Sequence, residues 1–170
     1  MIIGLDISTT ITGITILSDE GDIVYCDAII TKKYKSIFKK ASVVRDHLLS
    51  LQSKYKIEKI YVEKSLQSFR SGFSSAKTLS TLSSFNGIVS WICYSIFGIE
   101  PEYLAATSAR KICGIKIPKG QKAKLVVLCY LIENEEKFSV EYTRFGNPKP
   151  KYYDMADSIV IARAGHKRKG

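Results

Sequence analysis

Four acidic residues stand where folding could bring them to one point. Asp6 closes the apolar run IIGL, Glu63 closes KIYV, and Asp154 and Asp157 sit three apart in YYDMADSIVIA. An i,i+3 spacing places two side chains on one face of a helix. The apolar neighbours Ala156, Ile159, Val160 and Ala164 mark that helix as packed against a core. Carboxylates converging there repel one another unless protonated or bound to a cation. Mg²⁺ suits such a cluster, because it takes a few carboxylate oxygens and keeps water and substrate phosphate in its shell. Two such ions about 4 Å apart activate water and stabilise the leaving oxygen in phosphodiester hydrolysis. Taken singly, each acid also has an ordinary structural reading. Asp6 could cap a turn, Glu63 could pair with Lys64 or another lysine, and Asp154 could N-cap the last helix. Together they point to a metal site.

The elements that would carry these acids can be read from the same sequence. Strands are expected over Ile2–Asp6, 13–17 and Ile23–Ile30, with the polar turn Asp19-Glu20-Gly21-Asp22 between the second and third. Apolar residues Ile37, Ala41, Val44, Leu48 and Leu51 recur at helical spacing within 36–55. A strand over Lys59–Glu63 precedes an exposed loop at 64–75. A long helix follows over Ala76–Phe97, where Ile88 and Trp91 widen the apolar face as though for neighbours on two sides. A strand over 101–106, a short turn capped by Thr107 or Ser108, a helix over Ala123–Asn134 and a last helix over 152–164 complete the chain. Residues 166–169 read as a flexible basic end. The order implies one α/β domain over 1–170, a mixed sheet with helices on both faces and the acids at its C-terminal edge.

The chain has 170 residues, 45% of them hydrophobic, and carries 26 Lys and Arg against 16 Asp and Glu, for a net charge of +10. Such a balance favours a polyanionic partner, nucleic acid before membrane. Arg110, Lys111, Lys116, Lys119, Lys122 and Lys124 crowd into fifteen residues. Such a cluster suits backbone phosphates. Lys32, Lys33, Lys35, Lys39 and Lys40 form a lesser cluster. Phe69, Arg70 and Phe73, in the loop after Glu63, place aromatics beside a cation, which suits stacking on a base. Four scattered cysteines and two histidines disfavour a zinc site, a disulfide framework and a Ser–His–Asp triad. With neither a signal peptide nor a spanning segment apparent, the expectation is a soluble intracellular protein, in cytoplasm, nucleoid or an infected host cell.

The pieces GLDIS at 4–8, YVEKS at 61–65, YLAATSARKICGI at 103–115 and YDMADSIVIARAG at 153–165 together resemble the RuvC-type Holliday junction resolvases, in family order over nearly the whole chain. That resemblance implies a ribonuclease H-like fold with a mixed five-stranded sheet. It also implies a homodimer that nicks paired strands of four-way DNA junctions, leaving 5′-phosphate and 3′-hydroxyl ends. Asp6, Glu63, Asp154 and Asp157 match the acids that hold two Mg²⁺ ions, with Mn²⁺ able to substitute. Phe69 is the preferred match to the stacking aromatic, with Phe73 second. Lys122, then Lys119, is the preferred match to the lysine nearest the metals. The chain departs from the bacterial pattern in Ile7-Ser8-Thr9-Thr10 after the first acid, in Lys64 after the second, and in a longer lysine-rich segment at 116–124. These departures resemble a divergent viral or phage branch.

Three rivals remain at this level. GLDISTT also resembles the phosphate-binding turn of sugar kinases and actin-like ATPases, although those need two such domains and leave Asp154 and Asp157 without a role. A ribonuclease acting on RNA–DNA hybrids would share the fold. A junction-binding protein without activity would not need all four acids.

Overall fold

The computed structural model describes residues 1–64 and 76–168. Five strands, β1 (Ile2–Asp6), β2 (Ile11–Leu17), β3 (Ile23–Ile30), β4 (Lys59–Glu63) and β5 (Glu102–Leu104), form one sheet in the order β3-β2-β1-β4-β5. The first three pair antiparallel, whereas β4 and β5 run parallel to β1. Five helices complete the fold: α1 (Ile37–Gln52), α2 (Ala76–Phe97), α3 (Ala106–Ile112), α4 (Ala123–Asn134) and α5 (Lys151–Arg168). The expected mixed α/β sheet with helices on both faces is present.

Side-chain parity divides the core in two. On β1, Ile3 and Leu5 pack with Ile14, Ile16, Ile60 and Val62 beneath α1 and α2. Ile2, Leu17 and Tyr61 belong to the opposite layer, beneath α3, α4 and α5. Successive strand residues alternate faces, so Asp6 and Glu63 share the α5 side with Ile2 and Tyr61. Parallel pairing of β1 with β4 sets Leu5 beside Val62, which brings both carboxylates to the same end of adjacent strands. Here the fold starts to assemble chemistry.

α5 lies unusually close to the sheet. A methyl group at Gly13 would meet the Asp154 carbonyl oxygen at 2.0 Å, and one at Gly4 would meet the Ala162 nitrogen at 2.5 Å. Only glycine leaves room for the helix backbone at both points. A buried hydroxyl pair, Thr15 Oγ1 and Ser158 Oγ at 2.8 Å, fixes the register, and Ser158 also donates to the Met155 carbonyl at 2.7 Å.

Two expectations require correction. The segment after β5 is a full helix, α3, entered from Ala105 without a side-chain cap bond, so neither Thr107 nor Ser108 caps it. Helix α5 runs on to Arg168, and His166 Nε2 lies 2.9 Å from the Asp19 carbonyl oxygen; the basic end is helical through residue 168 and anchored at His166. The widened face of α2 is partly covered: Ile88 packs against the core, whereas Trp91 is 66% exposed beside Tyr103 of β5. No helix among the described residues is long and apolar enough to cross a membrane.

Candidate active site

Asp6 from β1, Glu63 from β4 and Asp157 from α5 converge so that one carboxylate oxygen of each lies within 4.8 Å of the others. Asp6 and Asp157 are buried and Glu63 is half-buried. The β4 end is held by Asn86 of α2, whose side-chain amide donates to the Glu63 carbonyl at 3.1 Å. Beyond Asp6, Ser8 donates to the Ile11 carbonyl at 2.6 Å and accepts from the Thr10 and Ile11 amides, closing the β1–β2 turn.

Asp154 is adjacent to this trio but outside it. It lies in the first turn of α5, a helix that begins at Lys151, so it does not N-cap that helix. Its Oδ1 accepts from the Lys124 ammonium at 2.9 Å, and the same ammonium lies 3.4 Å from Asp157 Oδ2 and 3.8 Å from Asp6 Oδ2. The i,i+3 pair on α5 thus grips one cation from both sides. Lys124, in the first turn of α4, joins the acids; Lys122 takes the preceding cap position with no side-chain cap bond. The reason is helical geometry: the cap residue lies outside the first turn, whereas the residue two further on faces α5.

The electrostatics penalise ionising all of these carboxylates together. Burial, then the Glu63 charge, pushes Asp6 well above the ordinary carboxylate range. Burial, then Asp157, raises Glu63 to about 7, and burial also raises Asp157. Burial alone would lower Lys124, but Asp6, Asp157 and Asp154 outweigh it and hold the ammonium above its usual pKa. One lysine does not satisfy the site. Asp6 Oδ2 is buried without a hydrogen-bond partner, and Glu63 has no ion pair among the described residues. Three converging carboxylates with one orphaned oxygen fit a hard divalent cation, with Lys124 Nζ in the cation's neighbourhood.

Arg110 is half-buried in α3, and its charge reaches Glu63 and Asp157. With Thr107, Lys111 and Lys116 it lines a groove floored by Ile115 and Ile117. Lys111, Lys116, Lys119 and Lys122 are exposed. Phe69, Arg70 and Phe73 lie outside the described residues.

Among solved structures, the chain superposes on RuvC of Thermus thermophilus in complex with a Holliday junction substrate. The TM-score is 0.68 at 14% identity, over 99% of this chain and 95% of that one. The fold is ribonuclease H-like. A second Thermus thermophilus RuvC structure matches with a TM-score of 0.63 at 15% identity, over 99% of this chain and 94% of that one. The yeast mitochondrial Holliday junction resolvase Ydc2 matches with a TM-score of 0.61 at 15% identity, over 98% of this chain and 77% of that one. No protein-family model matches the chain, and no curated protein matches it in sequence. The resemblance read from four short motifs thus extends to the course of the backbone along nearly the whole RuvC-like fold. Sequence reasoning missed the placement of Lys124, the brace from Asn86 and the two glycines under α5. Only the lysine left a trace, as one of six cations near the predicted site.

Proposed function

We propose that the chain is a structure-selective DNA endonuclease that nicks paired strands of four-way or related branched DNA by two-metal-ion hydrolysis. The observation that carries this reading is the convergence of Asp6, Glu63 and Asp157 within 4.8 Å at one end of a RuvC-like sheet. When bound, a pair of Mg²⁺ ions, replaceable by Mn²⁺, supplies the charge that activates water and steadies the leaving oxygen. Asp6, Glu63 and Asp157 would hold those ions. Asp154 ligates or orients water and keeps Lys124 within 3.8 Å of Asp6. From there the Lys124 ammonium meets a phosphate oxygen of the strand being cut, and Arg110 faces the same phosphate. Lys111, Lys116, Lys119 and Lys122 follow the backbone outward, while Phe69 or Phe73, with Arg70, stacks at the opened junction.

A four-way junction presents two equivalent strands, so two copies of the chain related by a two-fold axis would match it. The exposed Trp91 and Tyr94 on α2, beside Tyr103 on the edge strand β5, offer a self-complementary aromatic face for that homodimer. The decisive experiment compares a mobile synthetic junction with linear duplex and RNA–DNA hybrid, in Mg²⁺ or EDTA. Wild type should cut the junction in a metal-dependent way. Asp6→Asn should bind it with unchanged affinity and cut at least about 10³-fold more slowly. Undiminished cutting by Asp6→Asn would end the mechanism.

A further inference from the structure

We propose that the lysine-rich entry to α1 is a separate contact for a duplex arm of the DNA, engaging backbone phosphates near the scissile one. This rests on the nuclease reading above and adds a surface not used by it. In the sheet, Gly13 pairs with Asp6 and Ile11 pairs with Ile30, so β3 ends at the same edge as the carboxylates, two strands away. Two strand spacings amount to about 10 Å, so phosphates met at the end of β3 would lie within a few nucleotides of the cut.

The loop that leaves β3 is fastened to the turn that leaves Asp6. Thr31 donates its amide to the Thr10 carbonyl at 2.9 Å and its hydroxyl to the Thr9 carbonyl at 3.0 Å, and the Lys40 ammonium also donates to Thr9. This bracing fixes the patch relative to the active site. Lys32, Lys33, Lys35 and Lys39 are exposed on it, and among the described residues none has a carboxylate partner within 4 Å. Two aromatics lie between them: Lys33 Nζ is 5.1 Å from the Tyr34 ring centroid, and Phe38 is 73% exposed.

The placement of these lysines opposes the stability of their own helix. Ser36 caps α1 by accepting from the Lys39 amide, yet the first turn carries Lys39 and Lys40 and no acid. Cations there face the positive end of the helix dipole. Lys40 is offset by the Thr9 carbonyl, but Lys39 has no carboxylate partner among the described residues, and a local rule broken in this way points to function. A phosphate backbone supplies the missing negative charge and favours the same helix end.

The test is the variant Lys32→Ala/Lys33→Ala/Lys35→Ala/Lys39→Ala, assayed for binding to a junction with duplex arms in EDTA across a salt series. The log–log salt slope should fall by roughly 2–4, at about 0.9 for each phosphate no longer neutralised, and affinity near 100 mM salt should drop about tenfold or more. Hydroxyl-radical footprinting should show protection disappearing over one short run of phosphates near the cut. Single-turnover cleavage at saturating protein in Mg²⁺ should stay within about twofold of wild type. The melting temperature should be equal or higher, because Lys39 no longer opposes the dipole. An unchanged slope, protection that weakens evenly over the whole junction, or a lowered melting temperature would each overturn the arm contact. If wild type cuts junctions and the slope is unchanged, only this inference fails. If wild type neither binds nor cuts branched DNA, the nuclease reading fails and takes this one with it.

Discussion

The starts of α4 and α1 both carry lysines, and their surroundings differ sharply. At the start of α4, Lys124 is enclosed by Asp154, Asp157 and Asp6, and its charge is matched within the fold. At the start of α1, Lys32, Lys33, Lys35 and Lys39 have no such partners among the described residues. The difference lies in what each set of charges does. The enclosed lysine offsets repulsion among acids that would otherwise have to take up protons or metal. The exposed lysines are left to an anion outside the chain. Proximity in sequence to one of the clustered acids would have ranked them wrongly: Lys124 is thirty residues from Asp154, while Lys64 follows Glu63 directly.

Three tests would break or sharpen that contrast. The largest effect is expected from Lys124→Met, which should slow cleavage about 100-fold at saturating DNA, whereas Lys35→Met should change it less than about twofold under the same conditions. Equal effects would erase the distinction. Gly13→Ala should come next, lowering stability by about 1–3 kcal/mol in chemical denaturation through overpacking against the Asp154 carbonyl, and weakening metal binding measured by calorimetry. The smallest concerns pH. Burial, then neighbouring acids, raises Glu63 from 4.5 to about 7 and raises Asp6 and Asp157 as well. The folded, metal-free protein therefore keeps protons that the unfolded chain has already released. This contribution to stability is complete below the unfolded values and is lost as pH rises toward and through about 7. Melting temperature without metal should fall between pH 5 and pH 8 by a few degrees, and saturating Mg²⁺ should reverse most of the fall. A rise over that interval would show that the acids are already neutralised.

Much of this was legible in the sequence because apolar runs with a polar end announce themselves. β1, β3, β4, α2 and α4 occupy the residues their patterns indicate, and Asp6 and Glu63 sit at strand ends where the apolar runs stop. The last helix was foreseen, but Asp154 was not separable from a capping residue, since an acid suits a first turn whatever its task. Strand parity was hidden on β1, where all five residues are buried and no alternation of polarity shows which face is which. Lys124 could not be singled out from Lys122 or Lys119 even with the start of α4 foreseen, because which side of that helix faces α5 is decided by tertiary packing that the local sequence does not encode. Thr107 and Ser108 misled for the converse reason: hydroxyls near a helix start need not cap it, and here Ala105 occupies the cap position.

The glycines beneath α5 bear on more than packing. Asp6 and Glu63 belong to the sheet layer and Asp157 to the helix layer, and Gly4 and Gly13 set how far apart those layers stand. The site therefore resembles a vise whose jaw opening is fixed by two residues that contribute no ligand atom. Widening the gap would lengthen every cross-layer donor distance together and leave the spacing between Asp6 and Glu63 alone. Discrimination between a small divalent ion and a larger one would then reside in backbone clearance, adjustable at Gly13 without altering a single carboxylate.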